Sequence, residues 1–128
     1  MQEQQIKDWV SHGPELNLLQ AAENLGKTLC REKLTTSQIR QVFTRLKSIE
    51  AKGFTGQRTE FMMLKPYIAY AAGRQDKVRG LHTFKKKITC GIDFVLQADD
   101  EQEQQKRFYN FCKFFEAVLA YHRASGGK

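Results

Sequence analysis

The 128-residue sequence predicts an all-α protein, a single compact bundle of about five to six helices. Apolar residues recur at steps of three and four through nearly every segment, and no stretch sustains the alternation of a strand. Start and stop signals divide that pattern into helix-sized pieces. A chain of this length can bury one core without disulfides or metals.

The first helix is expected over Gln2 to Val10, stopped by His12-Gly13-Pro14. Pro14 suits the first turn of a second helix, Glu15 to Arg31, whose apolar positions include Leu16, Leu19, Leu25 and Leu29. Thr35 as N-cap with Gln38 three residues on has capping-box spacing. The helix it opens, Ser37–Lys52, carries Ile39, Val42, Phe43, Leu46 and Ile49 on one face. Gly53 to Gly56 reads as a loop, followed by a helix from Arg58 towards Ala72. Pro66 inside it predicts a kink near Met62 to Pro66 or two abutting short helices, with Gly73 as the closing C′ glycine. Asp76 is expected to cap a helix reaching Leu96, with Val78, Leu81, Phe84, Ile88, Ile92 and Val95 inward. Asp99-Asp100-Glu101 opens the last helix, where acids suit the positive end of the dipole, and this helix runs through Phe108, Phe111, Phe114 and Phe115 to His122. The whole is one domain: N-terminal helices over 1–33, a core over 34–123 and a flexible tail over 124–128.

Charge is the strongest functional signal. Lys and Arg number 21 against 14 Asp and Glu, a formal net charge of +7. Such a balance on a small domain favours a polyanionic partner, because phosphate backbones reward clustered bases through counterion release. The polar face of Ser37–Lys52 holds Arg40, Arg45, Lys47 and Lys52 with Gln41, Thr44 and Ser48 between them, and its only acid, Glu50, sits at the edge of the apolar stripe. From Arg74 to Lys87 six basic residues stand against one acid, Asp76. The last helix is roughly balanced. Contacts from such faces position a nucleic acid and carry little sequence information.

Catalytic patterns are weak. Gly26-Lys27-Thr28 ends like a phosphate loop, but Ala21 stands where the upstream glycine belongs and the segment is helical. His12, His82 and His122 are far apart with no sign of convergence, and His122 on an apolar stripe reads as a hydrogen-bonded core residue. Cys30, Cys90 and Cys112 form no CxxC or CxxH pair and read as packing residues of a reduced, cytoplasmic protein. The first residues lack the pattern of a signal peptide, and no apolar run reaches membrane-spanning length. The expectation is a chain with no cofactor, no metal and no membrane contact. The aromatic cluster of the last helix shares a face with Val118 and Leu119 and reads as core; Tyr109 or Phe54 is the better candidate for stacking on a base.

Three segments carry a resemblance: Leu34-Thr35-Thr36-Ser37-Gln38-Ile39-Arg40, Leu64-Lys65-Pro66-Tyr67-Ile68-Ala69-Tyr70-Ala71-Ala72-Gly73-Arg74, and Phe114-Phe115-Glu116-Ala117-Val118-Leu119-Ala120-Tyr121-His122. Their order and spacing resemble the small subunit of type III-A CRISPR (Csm) effector complexes, from about Leu34 to His122. The resemblance implies a helical subunit without a catalytic centre, present in more than one copy as the inner filament. It also implies neighbours: the large polymerase-like subunit, the backbone subunits, and a guide–target RNA duplex held through basic side chains. Arg40, Arg74 and Lys65 lie in matched segments and are the first candidates for RNA contact. Arg45, Lys47, Lys52, Arg58, Arg79 and Lys86 follow from charge placement. The competing expectation is a free-standing helical DNA-binding regulator.

Overall fold

The computed structural model describes residues 1–128 as seven α-helices and one 3-10 turn, without strands. The helices are α1 (Glu3–His12), α2 (Leu16–Arg31), α3 (Thr36–Lys52), α4 (Arg58–Met62), α5 (Leu64–Arg74), α6 (Arg79–Leu96) and α7 (Glu101–Ala124), with the turn at Phe54–Gln57. The capping box opens α3 as predicted: Gln38 N–H donates to Thr35 Oγ1 at 3.1 Å, and Thr35 N–H donates to Gln38 Oε1 at 2.9 Å. Asp100 caps α7 by accepting from Glu103 N–H at 2.7 Å. The proline-containing segment resolves into two abutting helices broken at Met63, which places Pro66 in the first turn of α5, where a missing N–H leaves no bond unmade.

The aromatic helix α7 runs through the middle, packed by α1, α2, α3 and α6, with α5 lying outside on α6 and α3. Phe108, Phe111, Phe114 and Phe115 are all buried. Phe111 meets Phe61 edge-on at 5.6 Å, Phe114 meets Trp9 at 5.8 Å, and Phe115 meets Phe84 at 5.7 Å and stacks on Phe43 at 5.4 Å. Such pairs add about 0.5–1.5 kcal/mol each beyond their burial. The look-alike phosphate loop turns out to be a packing device. Gly26 sits in mid-α2 where α7 crosses, and a methyl group there would lie 2.7 Å from the His122 backbone nitrogen.

Two helix ends close with the same motif. Beyond α2, Lys33 takes the left-handed conformation (φ 72°), so that Leu34 N–H reaches the Leu29 carbonyl and Lys33 N–H the Cys30 carbonyl, both at 3.1 Å. This is the Schellman pattern. α7 ends the same way at Gly126 (φ 93°), with Gly127 N–H on the His122 carbonyl at 3.0 Å. The C-terminal segment is therefore no frayed tail: Gly127 is buried against the His122 ring, and its carbonyl accepts from Thr36 Oγ1 at 3.2 Å and Arg123 Nη1 at 2.9 Å. His122 itself is fully buried and donates from Nε2 to the Leu34 carbonyl at 2.7 Å, the core role expected of it.

Four finer expectations are corrected. Gly73 is not a C′ residue, because α5 continues through Arg74 to a C-cap at Gln75. Val78, not Asp76, is the N-cap of α6, and the Asp76 carbonyl instead accepts from His82 Nε2 at 2.7 Å. Phe54 is buried in the 3-10 turn against Phe61 and Phe108, so it offers no ring for stacking. Leu16, the first residue of α2, projects off the bundle and is 86% exposed.

Candidate nucleic-acid interface

Because α3 buries Ile39, Val42, Leu46 and Ile49, its helical period turns Ser37, Arg40, Gln41, Thr44, Arg45, Ser48 and Lys52 outward. On one flank this ridge meets the end of α7. There Thr36, Ser37, Arg40, Gln41, Thr44, Arg123 and Lys128 line an open cleft of about 470 Å³ that contains no acidic side chain. A second cleft continues along α3 and α7, lined by Arg40, Phe43, Lys47, Leu119, Ala120 and Arg123, with one acid, Glu116. Glu116 is paired with Lys113 at 3.6 Å. A concave surface with uncompensated bases raises the local positive potential and draws in polyanions.

On its other flank α3 faces α5. The Arg45 guanidinium lies 3.8 Å from the centre of the Tyr67 ring. Stacking uses the face of the guanidinium and leaves its in-plane N–H groups free for phosphate oxygens. Lys52 lies nearby on the same side, in a shallow groove whose lining includes one acid, Glu60. Arg74 stands at the end of α5 beside Tyr70 and Gln41. Arg40, Arg45, Lys52 and Arg74 are all exposed and none makes an ion pair.

The other five predicted residues are placed differently. Lys47 is bound to Glu50 at 2.6 Å, and that hydrogen bond holds its ammonium above the ordinary lysine value. Lys65 reaches Asp93 at 2.5 Å, tying α5 to α6. Arg79 is 84% exposed with Glu32 at 3.4 Å, a pair too solvated to hold it firmly. Arg58 donates to Gln104 at 3.2 Å near the start of α7. Lys86 lies with Lys7 and Lys85 in a separate groove between α1 and α6 that also contains Glu3 and Asp93.

Sequence reasoning missed Arg123, Lys128 and Tyr67. Arg123 reaches α3 because the end of α7 packs on α3, and Lys128 because the Gly126 turn folds the tail back; Gly126-Gly127 was the available signal for that turn. Tyr67 gains its part only when α5 packs beside α3 and brings its ring against Arg45. The histidines stay apart: His122 is engaged with Leu34, His82 with Asp76, and His12 is exposed. Burial pushes the Cys112 thiol far above its ordinary value, and Cys90 is raised for the same reason. No helix is long and apolar enough to cross a membrane.

Comparison with known proteins agrees with the resemblance carried by the three segments. A family model described as Csm2 Type III-A matches residues 14–128, reaching back across α2 and forward through the folded tail. The chain is 30% identical over 96 residues to the CRISPR system Cms protein Csm2 of Enterococcus italicus, covering 69% of this chain and 65% of that protein. It is 28% identical over 99 residues to the protein of the same name from Streptococcus thermophilus, covering 74% of this chain and 75% of that one. The match thus spans just under two thirds of the length of the first relative. No solved structure matches the chain. With all but its first 13 residues taken in by the family model, the chain belongs to the Csm2 Type III-A family.

Proposed function

We propose that this chain is the non-catalytic small subunit of a type III-A CRISPR RNA-guided interference complex. In this reading it forms the inner filament with further copies of itself and lies along the guide–target RNA duplex. It neighbours the large polymerase-like subunit and the backbone subunits, in the cytoplasm. The observation that carries the RNA part is the cleft, free of acidic side chains, in which Arg40 from α3 meets Arg123 of α7 and Lys128 of the folded tail. Arg45, held on Tyr67, and the unpaired Arg74 and Lys52 extend that surface along α3. Open clefts rimmed by arginine suit a phosphate backbone better than a small substrate, which calls for a closed, convergent pocket. Lys47, Lys65, Arg58, Arg79 and Lys86 take secondary parts, since each already has an internal partner or lies off the α3 ridge.

The assembly part rests on family membership and is tested by affinity purification of the tagged chain from its native host. Co-elution with a guide RNA and larger subunits is expected. Recovery of the chain bound to duplex DNA, without guide RNA or companion subunits, would overturn this reading in favour of a free-standing regulator.

A further inference from the structure

Between α3 on one side and α5 and α6 on the other lies a groove of about 200 Å³. Val42, Ile68 and Phe84 line its apolar floor, and Gln41, Tyr70 and Arg74 stand at its rim. Tyr70 is 67% exposed, so a large aromatic surface borders the opening with no partner of its own. At one edge Gln38 Nε2 donates to Gln75 Oε1 at 3.0 Å, which leaves the Gln75 amide NH2 as a donor towards the groove.

We propose that this groove takes an unpaired, unstacked nucleobase of bound RNA. The proposal rests on the RNA reading above and refines it. Three properties of the groove match that occupant. A nucleobase has apolar faces and a polar edge, and the groove offers an apolar floor, an exposed aromatic ring and free amide groups. Its position is continuous with the phosphate-facing surface, because Gln41 lines both this groove and the Arg40–Arg123 cleft. Arg74 at the rim supplies a cation for the phosphate attached to the inserted base. The volume admits one planar ring and is too small to enclose a partner helix, whose diameter with side chains is about 10 Å.

The test uses the full chain with two probes: a single-stranded oligoribonucleotide carrying 2-aminopurine, and a blunt RNA duplex of the same sequence. Tyr70→Ala removes an exposed side chain and leaves the core untouched, which circular dichroism checks. It is expected to weaken single-strand binding roughly tenfold and to change the 2-aminopurine signal, while duplex binding stays within about twofold. Tyr70→Phe keeps the ring and is expected to bind like the parent. Arg40→Ala with Arg123→Ala is expected to weaken both probes. If Tyr70→Ala leaves single-strand binding unchanged, or weakens both probes equally, the base site is overturned even where the arginine pair behaves as expected. Should the arginine pair leave both probes unaffected while Tyr70→Ala stays selective, the α3 reading fails and the base site stands. A parent chain that binds neither probe overturns both.

Discussion

Replacing Gly26 by alanine sets two opposing effects against each other at one atom. Alanine is the better helix former in mid-helix by about 1 kcal/mol, so propensity alone predicts a more stable protein. The structure predicts the opposite. The new methyl would sit 2.7 Å from the His122 nitrogen and 2.8 Å from the Tyr121 carbonyl carbon, both backbone atoms of α7. Backbone atoms cannot rotate aside, so α2 and α7 must separate locally and loosen the packing around His122. Overpacking of this kind costs typically 1–3 kcal/mol, and a rigid obstacle puts the cost near 3. The net loss is about 2 kcal/mol, which for a domain of this size lowers Tm by about 6–10 °C. Gly73 is the internal control. It also lies in a helix, but nothing stands within 4 Å of a Cβ there, so Gly73→Ala should gain about 0.5 kcal/mol. Calorimetric melts of the two variants beside the parent decide the matter. A Gly26→Ala protein that melts at or above the parent temperature would refute the close α2–α7 crossing.

Three further outcomes follow from single sites. Lys33 holds a left-handed backbone that glycine adopts without strain, so Lys33→Gly should stabilise by about 1 kcal/mol in urea titration; destabilisation would contradict the Schellman geometry. His122→Ala removes a fully buried ring and orphans the Leu34 carbonyl, at a cost of about 3 kcal/mol by the same assay, and a loss below about 1 would place His122 outside the core. Burial keeps the Cys112 thiol protonated in the folded chain at pH values where the unfolded thiol has ionised. Because the folded value is the raised one, its stabilising contribution is intact below about pH 8.5 and is lost as pH rises beyond it. Urea titrations between pH 7.5 and 10 should show a flatter decline for Cys112→Ala than for the parent; equal slopes would count against this.

The helical class and most boundaries were legible because they depend on local chemistry. Thr35 with Gln38, Asp100 before Glu101, and Pro66 near the start of α5 each act within one turn of the chain. What was hidden depends on distant segments meeting. Gly26 has no evident role, once the phosphate-loop likeness is set aside, until α7 is laid across it. The tail reads as frayed because Gly127 finds its partner at Thr36, 91 residues away in sequence. The interface divided in the same way. Helical periodicity was enough to turn Arg40, Arg45 and Lys52 outward, since one helix decides it. Whether a base is free depends on its neighbours: Lys65 meets Asp93 from α6 and Arg79 meets Glu32 beyond α2, while Arg45 meets a ring and no acid.

The central claim is that the α3 ridge and the end of α7 hold RNA through its phosphates. The most direct measurement is RNA affinity of the full chain as a function of salt, for the parent and for the Arg40→Ala/Arg123→Ala pair. Each lost phosphate contact lowers the slope of log affinity against log salt by roughly 0.7–0.9. Weak, sequence-indifferent binding is expected of the parent, with a slope shallower by about 1.5 for the pair. An unchanged slope, or tight binding to one sequence that persists at high salt, would contradict it.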